Sequence, residues 1–226
     1  MGLKLKTVVP WGRSLDEYIR MFALTPGDLQ LTLLDCAGGP ASFNAELTGS
    51  GGRVVSCDPI YQFALNEIQQ RIQDTYPLII AGVSANLNRY RWHSIQSPEQ
   101  LGEVRLKAMQ QFLADFPNGL ATGRYQVAEL PTLPFGDRQF DLALCSHLLF
   151  TYSDQLSVEF HLASIQELCR VAAEVRIFPL LTLAGEDSPL VPIVVDTLKQ
   201  QGYEASIHTV DYEFQRGGNQ LLRIKP

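Results

Sequence analysis

Apolar residues recur at helical spacing in parts of this chain and gather into short continuous blocks between those parts. Leu15, Tyr18, Ile19 and Phe22 share one face of a helix predicted over 14–24, and Ser14 with Glu17 forms a capping box at its start. Thr25-Pro26-Gly27-Asp28 stops it. Residues 31–36 form an apolar block of the kind a buried parallel strand shows, followed by the small-residue turn Ala37-Gly38-Gly39-Pro40-Ala41 and a helix to about Leu47. Glycines across 49–52 break the chain before a second strand over 53–57, which ends at Asp58-Pro59. Ile68 and Ile72 set the spacing of a helix over 62–75, whereas 77–93 carries mixed signals, helical only in part. The most regular helix spans 98–116. Ser97 caps it, Pro98 suits its first turn, Gln100 completes a capping box, and Leu101, Val104, Ala108 and Phe112 line one face. Pro117-Asn118-Gly119 is its predicted end.

Strands are predicted over 124–128 and 140–145, a helix over 156–171, and a strand over 173–178. Ser188-Pro189 opens a further helix that Gly202 closes, and strands over 203–210 and 219–225 finish the chain, with Arg216-Gly217-Gly218-Asn219 as the turn between them. Alternation of strand and helix predicts an α/β three-layer sandwich around a mostly parallel seven-stranded sheet. The two closing strands have no helix between them, so the last is expected to run antiparallel. No Pro/Gly/Ser-rich linker divides the chain, which predicts a single domain over 1–226 with a helical insertion at about 77–120, between the second and third strands.

Composition narrows the classes. A net charge of −6 makes the chain a poor general binder of phosphate backbones and argues against a nucleic-acid substrate. Cys36, Cys57, Cys145 and Cys169 show no CxxC spacing and read as buried thiols of a reducing compartment. No apolar run approaches the ~20 residues of a bilayer span, and 1–10 lacks the apolar stretch of a signal peptide. Together these predict a soluble, cytoplasmic protein with no membrane partner. His93, His161 and His208 are scattered, so no metal site is expected. Ser146 lacks a GxSxG context, which argues against a serine hydrolase.

In open parallel sheets, ligands bind beyond the carboxyl ends of the strands at the switch point. Here the first strand leads into Asp35 and the turn Ala37, Gly38, Gly39, Pro40, and the second ends at Asp58 and Pro59. Small residues let the backbone approach a ligand, and a carboxylate at the next strand end can accept from both ribose hydroxyls of a nucleoside. By itself this pattern fits several nucleotide cofactors, and a purely structural turn would also explain the glycines.

The block Leu33-Leu34-Asp35-Cys36-Ala37-Gly38-Gly39-Pro40-Ala41 resembles the first motif of class I S-adenosylmethionine-dependent methyltransferases. Ala37 and Ala41 replace its outer glycines, and Gly39 keeps the middle one. Asp58 falls where that family places its ribose-binding acid. Glu129 and Leu130 fall where it holds the adenine, with Leu133-Pro134-Phe135 following, and Phe140 to His147 resembles its fourth-strand motif. The resemblance implies S-adenosylmethionine as cofactor, with Ser146 and His147 beside it; the acidic charge makes a small-molecule acceptor the expectation. It also implies that the N-terminal helix, starting at Arg13-Ser14, covers the cofactor mouth or only caps the core.

One departure is the 71-residue separation of Asp58 and Glu129, which places the insertion over the carboxyl edge as a lid or substrate wall. Within it, Arg89, Arg91 and Trp92 belong to a basic–aromatic cluster suited to an anionic or planar substrate, or else to a packing surface. His147 and Tyr152 are the candidates to orient or deprotonate an acceptor, though either would also serve as a wall residue. A non-catalytic cofactor-binding protein and an NAD-dependent oxidoreductase remain as alternatives. The closing strand pair and the lack of a Tyr-x-x-x-Lys dyad favour the methyltransferase over the oxidoreductase. Neither an Asn-Pro-Pro-Tyr motif nor a cytosine-attacking Cys motif identifies the methylated atom. Oligomeric state leaves no signal.

Overall fold

A computed structural model describes residues 9–226 of the chain; the leader expectation for the first residues lies outside them. The strands are β1 (Thr32–Cys36), β2 (Arg53–Cys57), β3 (Tyr125–Gln126), β4 (Phe140–Ser146), β5 (Ala172–Phe178), β6 (Glu204–Thr209) and β7 (Gln220–Lys225). They form one sheet in the order β3-β2-β1-β4-β5-β7-β6. All pairs are parallel except those made by β7, which runs antiparallel to both β5 and β6. The predicted mostly parallel sheet with an antiparallel last strand is therefore the one observed. β1 and β4 are its centre, buried on both faces, which is why both read as continuous apolar blocks. The strand order reverses between them, so the crevice lies beyond Cys36 and Ser146.

The helices are α1 (Leu15–Phe22), α2 (Phe43–Gly49), α3 (Leu65–Ser84), α4 (Pro98–Ala121), α5 (Val158–Val171) and α6 (Leu190–Gln200). The capping box of Ser14 and Glu17 forms as expected, and Ala23, at φ 48°, ends α1 in a left-handed turn. One face of the sheet packs against α1 and α2 through Tyr18, Phe22, Phe43 and Leu47. The other packs against α5 and α6 through Ile165, Leu168, Val194 and Leu198.

Two boundaries differ from the sequence reading for one reason. Helix α3 passes through Pro77 instead of stopping at 75, and α4 passes through Pro117 instead of stopping at 116. Both prolines face solvent, where water can satisfy the carbonyl each leaves without an intrahelical donor. The buried stripe meanwhile continues past each of them, as Ile79 and Val83 in α3 and as Gly119 in α4. A Cβ at Gly119 would stand 2.3 Å from the Tyr125 ring, so only glycine allows that contact. Strand β3 is also shorter than the 124–128 expected, because it pairs only with the end of β2.

The chain between β2 and β3 divides its roles. The C-terminal half of α4 packs against β3, with Phe112 and Phe116 on Tyr61 and Tyr125. The end of α3, the segment around Tyr90 and the start of α4 build a small core over the carboxyl edge. Ile79, Val83, Ile95 and Leu101 form it, with Trp11, Trp92 and Phe214 alongside. Among the described residues, no helix is long and apolar enough to cross a membrane.

Candidate functional site

The turn after β1 is held by its neighbours on every side. Ala37 (φ 59°) and Gly39 (φ 54°) are both left-handed, a conformation that disfavours a Cβ at Ala37 by about 1–2 kcal/mol. The Ala37 N–H donates to the Cys57 carbonyl at 2.8 Å. Gly38 backs onto Asp35, where an added Cβ would stand 2.1 Å from a carboxylate oxygen. At Gly39 an added Cβ would meet nothing closer than Asp58, at 3.9 Å, so the backbone there is open to a ligand. Asp58 accepts from Gly39 N–H at 3.0 Å and from Ile60 N–H at 2.8 Å, which ties the second strand end to the turn. Burial pushes the Asp58 carboxyl up to about 6, against those two N–H donors and with a smaller push from Glu129.

Two spaces meet at this turn. The larger, about 680 Å³, runs along Asp58, Pro59 and Ile60 to Glu129 and Leu130. The smaller, about 180 Å³, extends the other way under the insertion, between Trp11, Tyr90, Tyr152 and Phe214. Ala37, Gly39, Pro40 and Asp58 border both. The segment ahead of α1 lies directly on the turn. A Cβ at Gly12 would stand 2.0 Å from the Pro40 carbonyl oxygen, and the Arg13 carbonyl accepts from Ser42 N–H at 3.0 Å.

A buried hydrogen-bond chain crosses the floor of the smaller chamber. The parallel register sets Asp35 beside Ser56, whose hydroxyl donates to Asp35 at 2.8 Å while accepting from the Asn44 amide at 3.1 Å. The Tyr18 hydroxyl donates to the other Asp35 oxygen at 3.0 Å. Ser146 neighbours Tyr18, and its Oγ lies 2.9 Å from His147 Nδ1. Tyr18 gives its proton to Asp35; with the Ser146 hydroxyl turned toward Tyr18, His147 Nδ1–H donates to Ser146. That order leaves Nε2 with its lone pair. His147 itself sits in a left-handed conformation (φ 53°), pinned by its N–H to the Phe178 carbonyl at 2.7 Å. Burial, then the Arg13 and Arg105 cations, hold its imidazole well below the usual histidine range. Burial pushes Asp35 up to about 7, against the Ser56 and Tyr18 hydroxyls and with the Asp58 charge adding to the rise.

The chamber wall contains an ion pair that the sequence reading did not assign. Arg105 on α4 bonds to Glu17 on α1, and both are almost fully buried. The Tyr212 hydroxyl donates to Glu17 at 3.0 Å and receives Arg105 at 3.4 Å. One signal was available: Arg105 lies four residues after Leu101 on the stripe that otherwise reads as the apolar face of α4.

The basic–aromatic cluster meets the loop between β6 and β7. Arg89 bonds to the Ala184 carbonyl, Arg91 pairs with Glu213 at 3.2 Å, and the Trp92 indole N–H donates to the Leu87 carbonyl at 2.9 Å. Trp92 and Tyr90 pack on Phe214. Of this run, Tyr90 is the residue that lines the chamber. Tyr152 lines it too, buried, with its hydroxyl at the Val9 backbone. Among the described residues, no group of three or more His, Cys, Asp or Glu is placed to hold a metal ion.

No family model matches the chain. The mitomycin 7-O-methyltransferase MmcR superposes with a TM-score of 0.50 at 14% identity, over 93% of this chain and 53% of its own. The magnesium protoporphyrin IX methyltransferase of Synechocystis PCC 6803, solved with S-adenosylhomocysteine, gives 0.48 at 15%, over 93% and 80%. With the observed strand order, the MmcR likeness identifies the fold as that of class I S-adenosylmethionine-dependent methyltransferases. An uncharacterized protein of Methanocaldococcus jannaschii, MJ0045, is 33% identical over 224 residues, 99% of this chain and 98% of its own. The chain belongs to the same family as MJ0045, built on the class I methyltransferase fold.

Proposed function

We propose that the protein is an S-adenosylmethionine-dependent methyltransferase acting on a small molecule. The observation that carries this reading is the meeting of two spaces at one open turn. A long cleft with a carboxylate at each end adjoins a smaller chamber that His147 lines. The donor set of the cleft suits a nucleoside. Asp58 retains lone pairs for two ribose hydroxyls beside Pro59, Glu129 can accept from an adenine amino group, and the Leu130 N–H can donate to the ring. Asp35, Ala37, Gly38, Gly39, Pro40 and Ser146 would border the amino-acid end.

S-adenosylmethionine supplies a methyl group already activated on a sulfonium, so the chain's task is placement and proton removal. The aromatic side chains of the chamber give the acceptor an apolar wall. His147 Nε2 takes the proton that the acceptor oxygen or nitrogen loses, in the tautomer whose Nδ1–H donates to Ser146. The Tyr152 ring forms part of the wall that orients the acceptor.

Incubation with S-adenosylmethionine carrying a labelled methyl group and a fractionated pool of small metabolites tests the reading. Label is expected in a small-molecule fraction. His147→Gln is expected to lower kcat by roughly 10²–10⁴-fold with unchanged affinity for S-adenosylhomocysteine. Label that appears only in RNA or protein contradicts a small-molecule acceptor. No transfer at all, with the cofactor bound, identifies a binding protein instead.

A further inference from the structure

The smaller chamber holds a guanidinium with no ion-pair partner among the described residues; Asp58, the carboxylate that lines it, accepts from the Gly39 and Ile60 N–H groups, and the carboxylates behind the wall are committed elsewhere. Arg13 and Arg105 both line it. Glu17 is committed to Arg105, to the Ser14 N–H at 3.2 Å and to the Tyr212 hydroxyl. Asp35 is committed on both oxygens, to Ser56 and Tyr18. Arg13 donates from Nη1 to the Trp11 carbonyl at 3.2 Å, and its Nε is buried with no partner among the described residues. Burial and the neighbouring Arg105 destabilise the Arg13 cation, a cost that an arriving anion would relieve. Much of the remaining wall is aromatic: Trp11, Tyr90, Tyr152, Phe178 and Phe214. A volume of about 180 Å³ accommodates little more than one ring with its substituents, since an apolar cavity of ~150 Å³ takes a benzene molecule.

We propose that the methyl acceptor is a small planar carboxylate, bound through its carboxylate by Arg13 and presenting its nucleophilic hydroxyl or N–H to His147. The inference rests on the methyltransferase reading. A guanidinium binds a carboxylate through paired N–H donors, which fixes the plane of the ring and with it the direction of the nucleophile. The cofactor's own carboxylate does not settle the charge of the chamber, because S-adenosylmethionine also brings a sulfonium and an ammonium.

The test is calorimetry on the full chain saturated with S-adenosylhomocysteine, using 4-hydroxybenzoate and its neutral counterpart 4-hydroxybenzamide as probes. The wild type is expected to bind the carboxylate at least about tenfold more tightly than the amide. Arg13→Gln is expected to erase that preference, leaving the amide and S-adenosylhomocysteine within about twofold of wild type. Arg13→Lys should restore part of the preference, since it keeps the charge without the planar fork. Melting curves verify that each variant folds. Equal binding of the two probes by the wild type, or no binding of the carboxylate, overturns the proposal. So does an Arg13→Gln variant that loses about tenfold in affinity for S-adenosylhomocysteine but none for 5′-methylthioadenosine. That result places Arg13 on the cofactor's carboxylate. Should wild type fail to bind S-adenosylhomocysteine, the methyltransferase reading fails, and the probe preference is read separately on the cofactor-free chain.

Discussion

Asp58 shows how much chemistry one residue concentrates here. Its carboxyl is raised to about 6, so it is ionised and fully accepting above that pH and becomes a donor on one oxygen below it. Affinity for S-adenosylhomocysteine should accordingly be flat above about pH 7 and fall as pH drops through about 6. Asp58→Asn should weaken binding by about tenfold or more and flatten the profile, which calorimetry across pH reads directly. A profile unchanged by that substitution would move the titration to Asp35. Asp58 was legible in the sequence because its position depends on a local pattern: an apolar block, a small-residue turn, a second block and an acid. Ser146 and His147 were legible for the same reason. Tyr18 reads in the sequence only as a core residue of α1, because nothing in an apolar helical stripe reveals that a hydroxyl at its end reaches Asp35.

The elements around the chamber are joined by charge as well as by packing. Glu17, Arg105 and Tyr212 link α1, α4 and the loop before β7 in one buried cluster. Removing one charge leaves the other buried and unpaired, so Glu17→Gln should destabilise the fold by about 3–5 kcal/mol in chemical denaturation. The Arg105 pair outweighs burial and lowers the Glu17 carboxyl from 4.5 to about 2. The stabilising contribution is therefore complete above about pH 4.5 and disappears as pH falls from there towards 2. Acid titration of stability should show this loss in the wild type and lack it in Glu17→Gln. Helix boundaries were harder to read than helix positions. Pro77 and Pro117 are stop signals in sequence, but a solvent-facing proline leaves its orphaned carbonyl to water, and the buried stripe decides whether the helix continues.

Across the whole molecule, the half of the site nearest the sheet was readable and the half above it was not. Asp35, Asp58 and Glu129 belong to strand ends whose order follows from alternation of strand and helix. The chamber joins Glu17 to residues 88 and 195 positions away, Arg105 and Tyr212, and no local spacing announces such a meeting. The cluster of Arg89, Arg91 and Trp92 marks the same joint from the other side, where the insertion meets the loop between β6 and β7. Substituting Arg91→Ala together with Trp92→Ala should speed hydrogen exchange in residues 85–97 and 211–219 and weaken acceptor binding, with affinity for S-adenosylhomocysteine unchanged. Unchanged exchange in 211–219 would mean that the roof of the chamber is held by other contacts. The cofactor underlies each of the binding expectations. Titration of the full chain with S-adenosylhomocysteine and, separately, with NAD is predicted to give one-to-one saturable binding of S-adenosylhomocysteine and none of NAD at the same concentrations. Saturable binding of NAD without binding of S-adenosylhomocysteine would contradict the proposal that the cleft along Asp58 and Glu129 is a methyl-donor site.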